Sequence, residues 1–240
     1  MSKIDLNNIS HSYNPNDPNP IYALNPFSMT WENGKRYAIL GPSGCGKTTM
    51  LNIVSGLVRP SAGNILFDNK DVTDLKTESR NIAQVFQFPV IYNTMTVYEN
   101  LAFPLKCRDF LKDKIDERVK SVADTLNLQS FLNSPARKLT ADQKQLISLG
   151  RGLVREDVAA VLMDEPLTVI DPDLKFRLRR KLKEINEEFK TTLVYVTHDQ
   201  NEAMTFADNI IVMSEGEVVQ AGTPKELFER PNTTFVGYFI

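Results

Sequence analysis

The chain is poor in the residues that build metal knuckles and disulfide scaffolds: its 240 residues include two cysteines and two histidines. Cys45 and Cys107 lie too far apart for a zinc knuckle and are too few for a disulfide framework, so a reducing compartment is expected. Long apolar runs are also missing. No stretch approaches the roughly 20 residues of a membrane-spanning helix, and no basic-then-apolar leader opens the sequence. Any membrane role is therefore expected to be peripheral, from the cytoplasm. Excess charge of either sign is absent as well. With 28 Lys and Arg against 30 Asp and Glu the net charge is -2, which argues against a broad nucleic-acid surface, and no nucleic-acid partner is expected. Repeats and low-complexity tracts do not occur. What remains is 42% hydrophobic, enough for one α/β domain with a helical insertion.

One stretch dominates. Gly41-Pro42-Ser43-Gly44-Cys45-Gly46-Lys47-Thr48-Thr49 follows the apolar run 36–40 and precedes a helix-like segment at 46–56, which is the setting of a phosphate-binding loop. Small residues at Gly41, Ser43, Gly44 and Gly46 let the backbone curl so that successive N–H groups point at the β- and γ-phosphates. The N-terminus of the following helix adds its partial positive charge. Lys47 supplies a full positive charge. Thr48 offers a hydroxyl oxygen to Mg²⁺, a hard cation that prefers oxygen ligands. A nucleoside triphosphate with Mg²⁺ is the expected ligand.

Around this loop the patterning alternates between strands and helices. Residues 4–13, 22–31 and 35–40 are β-like, with a polar, proline-rich insert at 14–20; this predicts an antiparallel sheet edge feeding the loop strand. Strand patterns return at 63–67 and 82–86. From 97 to 131 apolar positions recur at helical spacing with no good strand among them, so a helical subdomain of about residues 90–158 is expected to pack separately. A helix from Leu139 to about Arg155 follows, then a buried strand at 159–163, an amphipathic helix at 173–189, and strands at 192–197, 209–213 and 218–221. Another helix opens at Thr223-Pro224. The Lys- and Arg-rich run 175–190 reads as a solvated helix face.

Three strand ends carry chemistry. Ala160-Val161-Leu162-Met163-Asp164-Glu165 is an apolar strand ending in two carboxylates, which places Asp164 beside a bound Mg²⁺ and Glu165 where it can polarise an attacking water as general base. Beside a phosphate loop, this outweighs a chance surface pair. His198, in Val196-Thr197-His198-Asp199, again follows an apolar strand, where an imidazole can hydrogen-bond the γ-phosphate and the water; a structural histidine is the rival. Gln87, in Val85-Phe86-Gln87-Phe88, can touch the metal or its water through its amide, against an exposed loop amide. Glu165, His198 and Gln87 are thus the catalytic candidates, and Thr48, Gln87 and Asp164 the metal candidates.

In order and spacing, the loop, Gln87, the Leu139 helix start, Asp164-Glu165, Asp171 and His198 resemble the ATP-binding subunit of an ABC transporter, over essentially the whole chain. The fold this implies is α/β, a P-loop NTPase of ABC type: a RecA-like core with an antiparallel β subdomain and an α-helical subdomain. It implies ATP and Mg²⁺ as cofactors and a second ATPase subunit, in a homo- or heterodimer. Tyr13, in His11-Ser12-Tyr13, is similar to the aromatic whose face stacks on adenine, with a plain edge-strand tyrosine as rival. Asp171 matches the acid that senses the opposite subunit. The family signature LSGGQ, which grips the γ-phosphate held by the partner, corresponds to Leu139-Thr140-Ala141-Asp142-Gln143, so Thr140, Asp142 and Gln143 join the nucleotide-binding set. The runs 81–105 and 196–231 are similar to carbohydrate importers of the maltose and glycerol-3-phosphate type, nearest the ATPases of bacterial glycerol importers. Transmembrane permease subunits are implied, with a periplasmic or extracellular binding protein acting indirectly, at the cytoplasmic face of the plasma membrane. Phe88, Pro89, Val90, Ile91 and Tyr92 are implied as an apolar lip for the permease, against ordinary loop packing.

The pattern breaks in two places. Asp142 puts a carboxylate and a Cβ where glycine would let backbone N–H groups approach a polyanion, and like charge there is unfavourable. Tolerated drift is one explanation. The other is an asymmetric pair in which this chain's loop, Glu165 and His198 work against a partner's intact signature. Importers of this type also continue into a regulatory β-barrel after a segment like 231–240, so a shortened form of a longer chain is expected, with a naturally short form as the alternative. Two other functions compete. One is a soluble ABC-type ATPase acting on ribosomes or DNA, which usually has two cassettes or long coiled-coil insertions. The other is a regulatory subunit without turnover, against which Glu165 and His198 argue. Glycerol or a related polyol as substrate rests on the likeness alone.

Overall fold

The computed structural model describes residues 2–156, 158–168 and 170–240. In chain order the strands are β1 (Ile4–Ser12), β2 (Tyr22–Trp31), β3 (Arg36–Leu40), β4 (Ala62–Phe67), β5 (Lys70–Asp71), β6 (Ile82–Val85), β7 (Ala160–Asp164), β8 (Leu193–Thr197), β9 (Asn209–Ser214) and β10 (Glu217–Gly222). The helices are α1 (Lys47–Ser55), α2 (Val97–Lys106), α3 (Lys112–Thr125), α4 (Ala141–Leu153), α5 (Pro172–Phe189), α6 (Gln200–Phe206), α7 (Pro224–Glu229) and α8 (Thr234–Phe239).

Strands β10-β9-β3-β8-β7-β6 form one sheet in that order, parallel except for the β9–β10 pair. Its inner strands are apolar on both sides, and alternate residues go to opposite faces. Tyr37 and Ile39 of β3, Ala160 and Leu162 of β7, and Val194 and Val196 of β8 join Met50, Leu51, Ile53 and Val54 of α1 in one core. On the other face, Val161, Met163, Leu193 and Tyr195 pack with Leu101 and Leu105 of α2, Val119 and Val122 of α3 and Ile147 and Leu149 of α4. A third cluster joins Ala38, Leu40, Ile210 and Val212 to Ala203 of α6, Leu227 of α7 and Val236 of α8.

The remaining strands form a separate antiparallel sheet, ordered β2-β1-β4-β5. Its apolar residues Ile4, Leu6, Leu24, Trp31 and Ile65 share the core of α1. This corrects the expectation of an antiparallel edge feeding the loop strand. β2 precedes β3 in sequence but cannot pair with it, because both edges of β3 are taken by β8 and β9.

The helical spacing at 97–131 is carried by α2 and α3. The chain turns between them at Asp109, whose φ of 57° is left-handed. Thr96 with Glu99, and Thr140 with Gln143, make reciprocal capping boxes at the starts of α2 and α4, each satisfying two donors that the helix itself leaves unpaired. The run 175–190 is only partly a solvated face. Arg180 and Lys181 are exposed and pair with Glu184, whereas Lys175 and Arg179 turn inward to Glu202. Elements β5, α6 and α8 had no visible sequence signal, since segments of 2, 7 and 6 residues are too short to establish a period.

Arg80 ties α1 to the loop before β6. It is 3% exposed, and its guanidinium donates to the carbonyls of Ile53 at 2.7 Å and Val54 at 3.1 Å, and to those of Thr73 and Leu75. The first two are helix-end carbonyls, and that of Ile53 also accepts the Gly56 N–H at 3.2 Å. Burial pulls the guanidinium below its ordinary pKa. Arg80→Ala is expected to cost about 3 kcal/mol of folding stability, through lost charge-assisted bonds and carbonyls left unmet. The change is read as a lower urea midpoint at unchanged slope. An unmoved midpoint would mean that water replaces the guanidinium without loss.

Candidate active site

The carboxyl ends of β3, β8, β7 and β6 lie side by side, the position in an open parallel sheet where connections leave a crevice for a ligand. The loop after β3 reaches α1 through Gly46, the residue before the helix, at φ 101°. A Cβ there would lie 2.5 Å from the Ala23 carbonyl oxygen, so glycine is required both by conformation and by space. Gly41, Pro42, Ser43 and Gly44 carry the turn. Lys47 is buried, yet its ammonium donates at 2.8 Å to the carbonyls of both Gly41 and Pro42. Cys45 packs its side chain into the core behind the loop. Burial pushes its thiol pKa up, against the pull of Lys47, whose Nζ is 3.9 Å away.

Thr48 donates its hydroxyl to Oδ2 of Asp164 at 2.8 Å. Asp164 is the last residue of β7 and is buried. Burial raises its pKa first and the neighbouring Glu165 charge adds to the rise, while the Thr48 hydrogen bond and Lys47 lower it. A hydroxyl and a desolvated carboxylate side by side are an all-oxygen donor set, which fits Mg²⁺.

Glu165 follows with a left-handed backbone, φ 43°. Its Oε2 lies 3.1 Å from Nδ1 of His198 and accepts the Thr168 hydroxyl at 3.2 Å. With the proton on Nδ1, His198 donates to Glu165 and keeps Nε2 as an acceptor. The imidazole is largely exposed while the Glu165 carboxylate is mostly covered. Tyr13 is exposed, with its hydroxyl 3.1 Å from Oγ1 of Thr49 and its ring edge-on to His11.

These groups share one open cavity of about 600 Å³. Tyr13, Ser43, Gly44, Gly46, Lys47, Thr48, Thr49, Gln87, Glu165 and His198 line it, together with Ala23 and Thr168. Asp164 reaches it through Thr48. Sequence reasoning missed Ala23 and Thr168. Nothing marked Ala23, whereas Thr168, three residues after Glu165, lies in a loop where a hydroxyl commonly bonds back to local acceptors. Thr140, Asp142, Gln143 and Asp171 are not in this cavity. Thr140 and Gln143 are engaged in capping α4, with Asp142 in its first turn, and Asp171 caps α5 by accepting the Leu174 N–H at 2.9 Å. A second cavity, of about 660 Å³, lies beside α3 and is lined by none of the candidate catalytic, nucleotide-binding or metal residues. There the Arg118 guanidinium stacks 4.5 Å above the Phe189 ring and pairs with Glu156.

Comparison with known proteins shows the family and the fold. The ABC transporter family profile matches residues 24–168. The sn-glycerol-3-phosphate import ATP-binding protein UgpC 3 of Agrobacterium fabrum is 41% identical over 240 residues, covering 100% of this chain and 67% of its own length. The trehalose/maltose import ATP-binding protein MalK of Thermococcus litoralis is 43% identical over 226 residues, 92% of this chain and 60% of its own. The chain thus spans about two thirds or less of the length of these relatives. Among solved structures, cbiO1 of Clostridium perfringens, part of an ABC transporter complex, superposes with a TM-score of 0.83 at 29% identity, covering 95% of this chain and 90% of that one. A dimeric ATP-binding cassette in a post-hydrolysis state bound to ADP and Pi gives 0.82 at 29% identity, covering 92% and 98%. With its phosphate loop, strand-end acids and histidine set on this α/β cassette fold, the chain belongs to the ABC transporter family and is one of its ATP-binding, ATPase cassettes.

Proposed function

We propose that the chain is the Mg²⁺-dependent ATPase subunit of a membrane importer for glycerol or a related polyol or carbohydrate, working as one half of an asymmetric ATPase pair. The observation that carries the ATPase part is the single cavity that joins the Thr48–Asp164 pair to the Glu165–His198 pair. Lys47 and the loop N–H groups bind the β- and γ-phosphates. Thr48, Asp164 and Gln87 would hold Mg²⁺, which when bound offsets the phosphate charge. Glu165 takes a proton from the attacking water, and Nε2 of His198 accepts a hydrogen bond from that water and holds it facing the γ-phosphate. Tyr13 stacks on the base.

Thr140, Asp142, Gln143 and Asp171 lie outside the chain's own cavity, which supports assigning them to a nucleotide held by a second subunit. Asp142 then brings negative charge toward that nucleotide's phosphates, and this is the basis for asymmetry. The helical subdomain, about 90–158, carries the docking surface. Phe88 is 72% exposed, and the Arg151 guanidinium stacks on Tyr92 while bonding the Val90 carbonyl. A rigidly held apolar lip of this kind suits a permease segment. No described helix is long and apolar enough to cross a membrane, so the chain would reach the membrane through such subunits. The names of its relatives support the solute class.

The test is to recover the native complex from detergent-solubilised membranes through a tag on this chain and to identify its members by mass spectrometry. Permeases together with a second ATPase carrying an intact LSGGQ are expected. Permeases alone would replace asymmetry by a homodimer, and ribosomal or DNA-repair proteins would overturn the transporter reading.

A further inference from the structure

Behind His198, outside the cavity, lies a carboxylate that the proposed chemistry does not use. Glu202, on the first turn of α6, is 5% exposed. Its Oε2 accepts the hydroxyls of Tyr195 and Thr197, both at 2.9 Å, and its Oε1 accepts the Arg179 guanidinium at 3.1 Å with the Lys175 ammonium 3.7 Å away. All four of these partners donate, and the contacts with Arg179 and Lys175 are charge-assisted. Burying an ion pair is costly where an apolar residue would pack as well. The purpose lies in what the anion holds.

Thr197 gives its hydroxyl proton to Glu202, and the same oxygen accepts the Asp199 N–H at 3.0 Å. Asp199 in turn accepts the Glu202 N–H at 3.1 Å. The backbone is therefore laced on both sides of His198. The imidazole itself is 57% exposed and has Glu165 as its ionic partner, so its place is set by the loop rather than by packing. On the other side, Lys175 and Arg179 belong to α5, the helix that Asp171 caps. One carboxylate thus joins that helix to the histidine.

We propose that Glu202 is a positioning residue for His198, transmitting the placement of α5, and hence of Asp171 at the subunit-facing end, to the Glu165–His198 pair. The inference rests on the ATPase reading. Glu202→Gln keeps the shape and turns one acceptor into a donor facing Arg179. It is expected to lower kcat for ATP by about 10- to 100-fold, the scale of an ångström-sized misplacement of a reacting group, with ATP affinity within about twofold. In a His198→Ala background the same change should have no further effect on kcat, since residues acting through one another are not additive. An independent readout uses the low histidine content. His11 and His198 are the only two, so ¹⁵N-histidine spectra, assigned with His198→Ala, follow the ring directly, and Glu202→Gln should shift the His198 nitrogens and leave those of His11. If Glu202→Gln does not fold, Thr197→Val removes the bridging hydroxyl alone and is judged in the same way. Additive losses, an unchanged kcat in the folded variant, or unmoved ring signals would overturn the proposal. A wild-type protein without ATPase activity would instead refute the ATPase reading, while the ring signals would still report whether Glu202 places His198.

Discussion

Glu165→Gln is expected to lower ATP turnover by about 10²- to 10⁴-fold, the usual worth of a positioned general base, while ATP binding stays within a few-fold of the original. The amide fills the same volume and can still accept from Thr168 and from Nδ1 of His198, the two contacts the carboxylate makes. What it loses is basicity. The carboxylate is mostly covered and held from two sides, so no other side chain on the cavity wall combines a negative charge with that placement. Asp164 lies next to it but is engaged by Thr48. Phosphate release measured with the chain and its partner subunit, beside calorimetric titration with ATP, separates the two effects. Hydrolysis persisting at full rate would remove Glu165 from the mechanism.

Lys47→Ala should act on the other quantity. Truncating one member of a buried charge pair costs about 2–5 kcal/mol, so ATP affinity is expected to fall by between about 30-fold and several thousand-fold. A second loss accompanies it. The ammonium already donates to the carbonyls of Gly41 and Pro42; without it that of Pro42 keeps the Cys45 N–H at 3.4 Å, but that of Gly41 needs water inside a tight turn, at about 1–3 kcal/mol if it stays unmet. Lys47 is therefore expected to matter to the fold even with no nucleotide added, and thermal unfolding of the ligand-free protein checks this. Wild-type affinity in the variant would show that the backbone N–H groups bind the phosphates without it.

The residues legible in the sequence were those whose neighbours in the chain define them. A phosphate loop needs small residues and a lysine at fixed offsets, so Gly41 to Thr49 could be read from a single window. Asp164, Glu165, His198 and Gln87 each follow a short apolar strand, and parallel strands bring their carboxyl ends together whatever the order of the sheet. The illegible ones depend on partners far away. Arg80 is fixed by a carbonyl 27 residues earlier, and Glu202 by an arginine 23 residues earlier on another helix. Helix α6, at seven residues, is too short to establish a period, and nothing in its sequence gives reason to expect a buried ion there. Sheet membership failed for the same cause. Residues 22–40 read as one succession of strands, yet β2 and β3 belong to different sheets because β3 is occupied by strands more than 150 residues downstream.

The central sheet acts as a bulkhead. On one face lie the helix beneath the phosphate loop and the sheet that carries Tyr13, and on the other lie α2, α3 and α4, with Ile91 of the apolar lip packed among them. Interiors packed like molecular crystals are nearly incompressible and pass strain on rather than absorb it, so the sheet is stiff. Its strand ends form a rim. In the strand order β3-β8-β7-β6, the phosphate loop, His198, Glu165 and Gln87 stand in successive places across the strand ends. Mechanical work done at the loop would travel sideways down that row and leave the molecule at its edge strand, beside the lip.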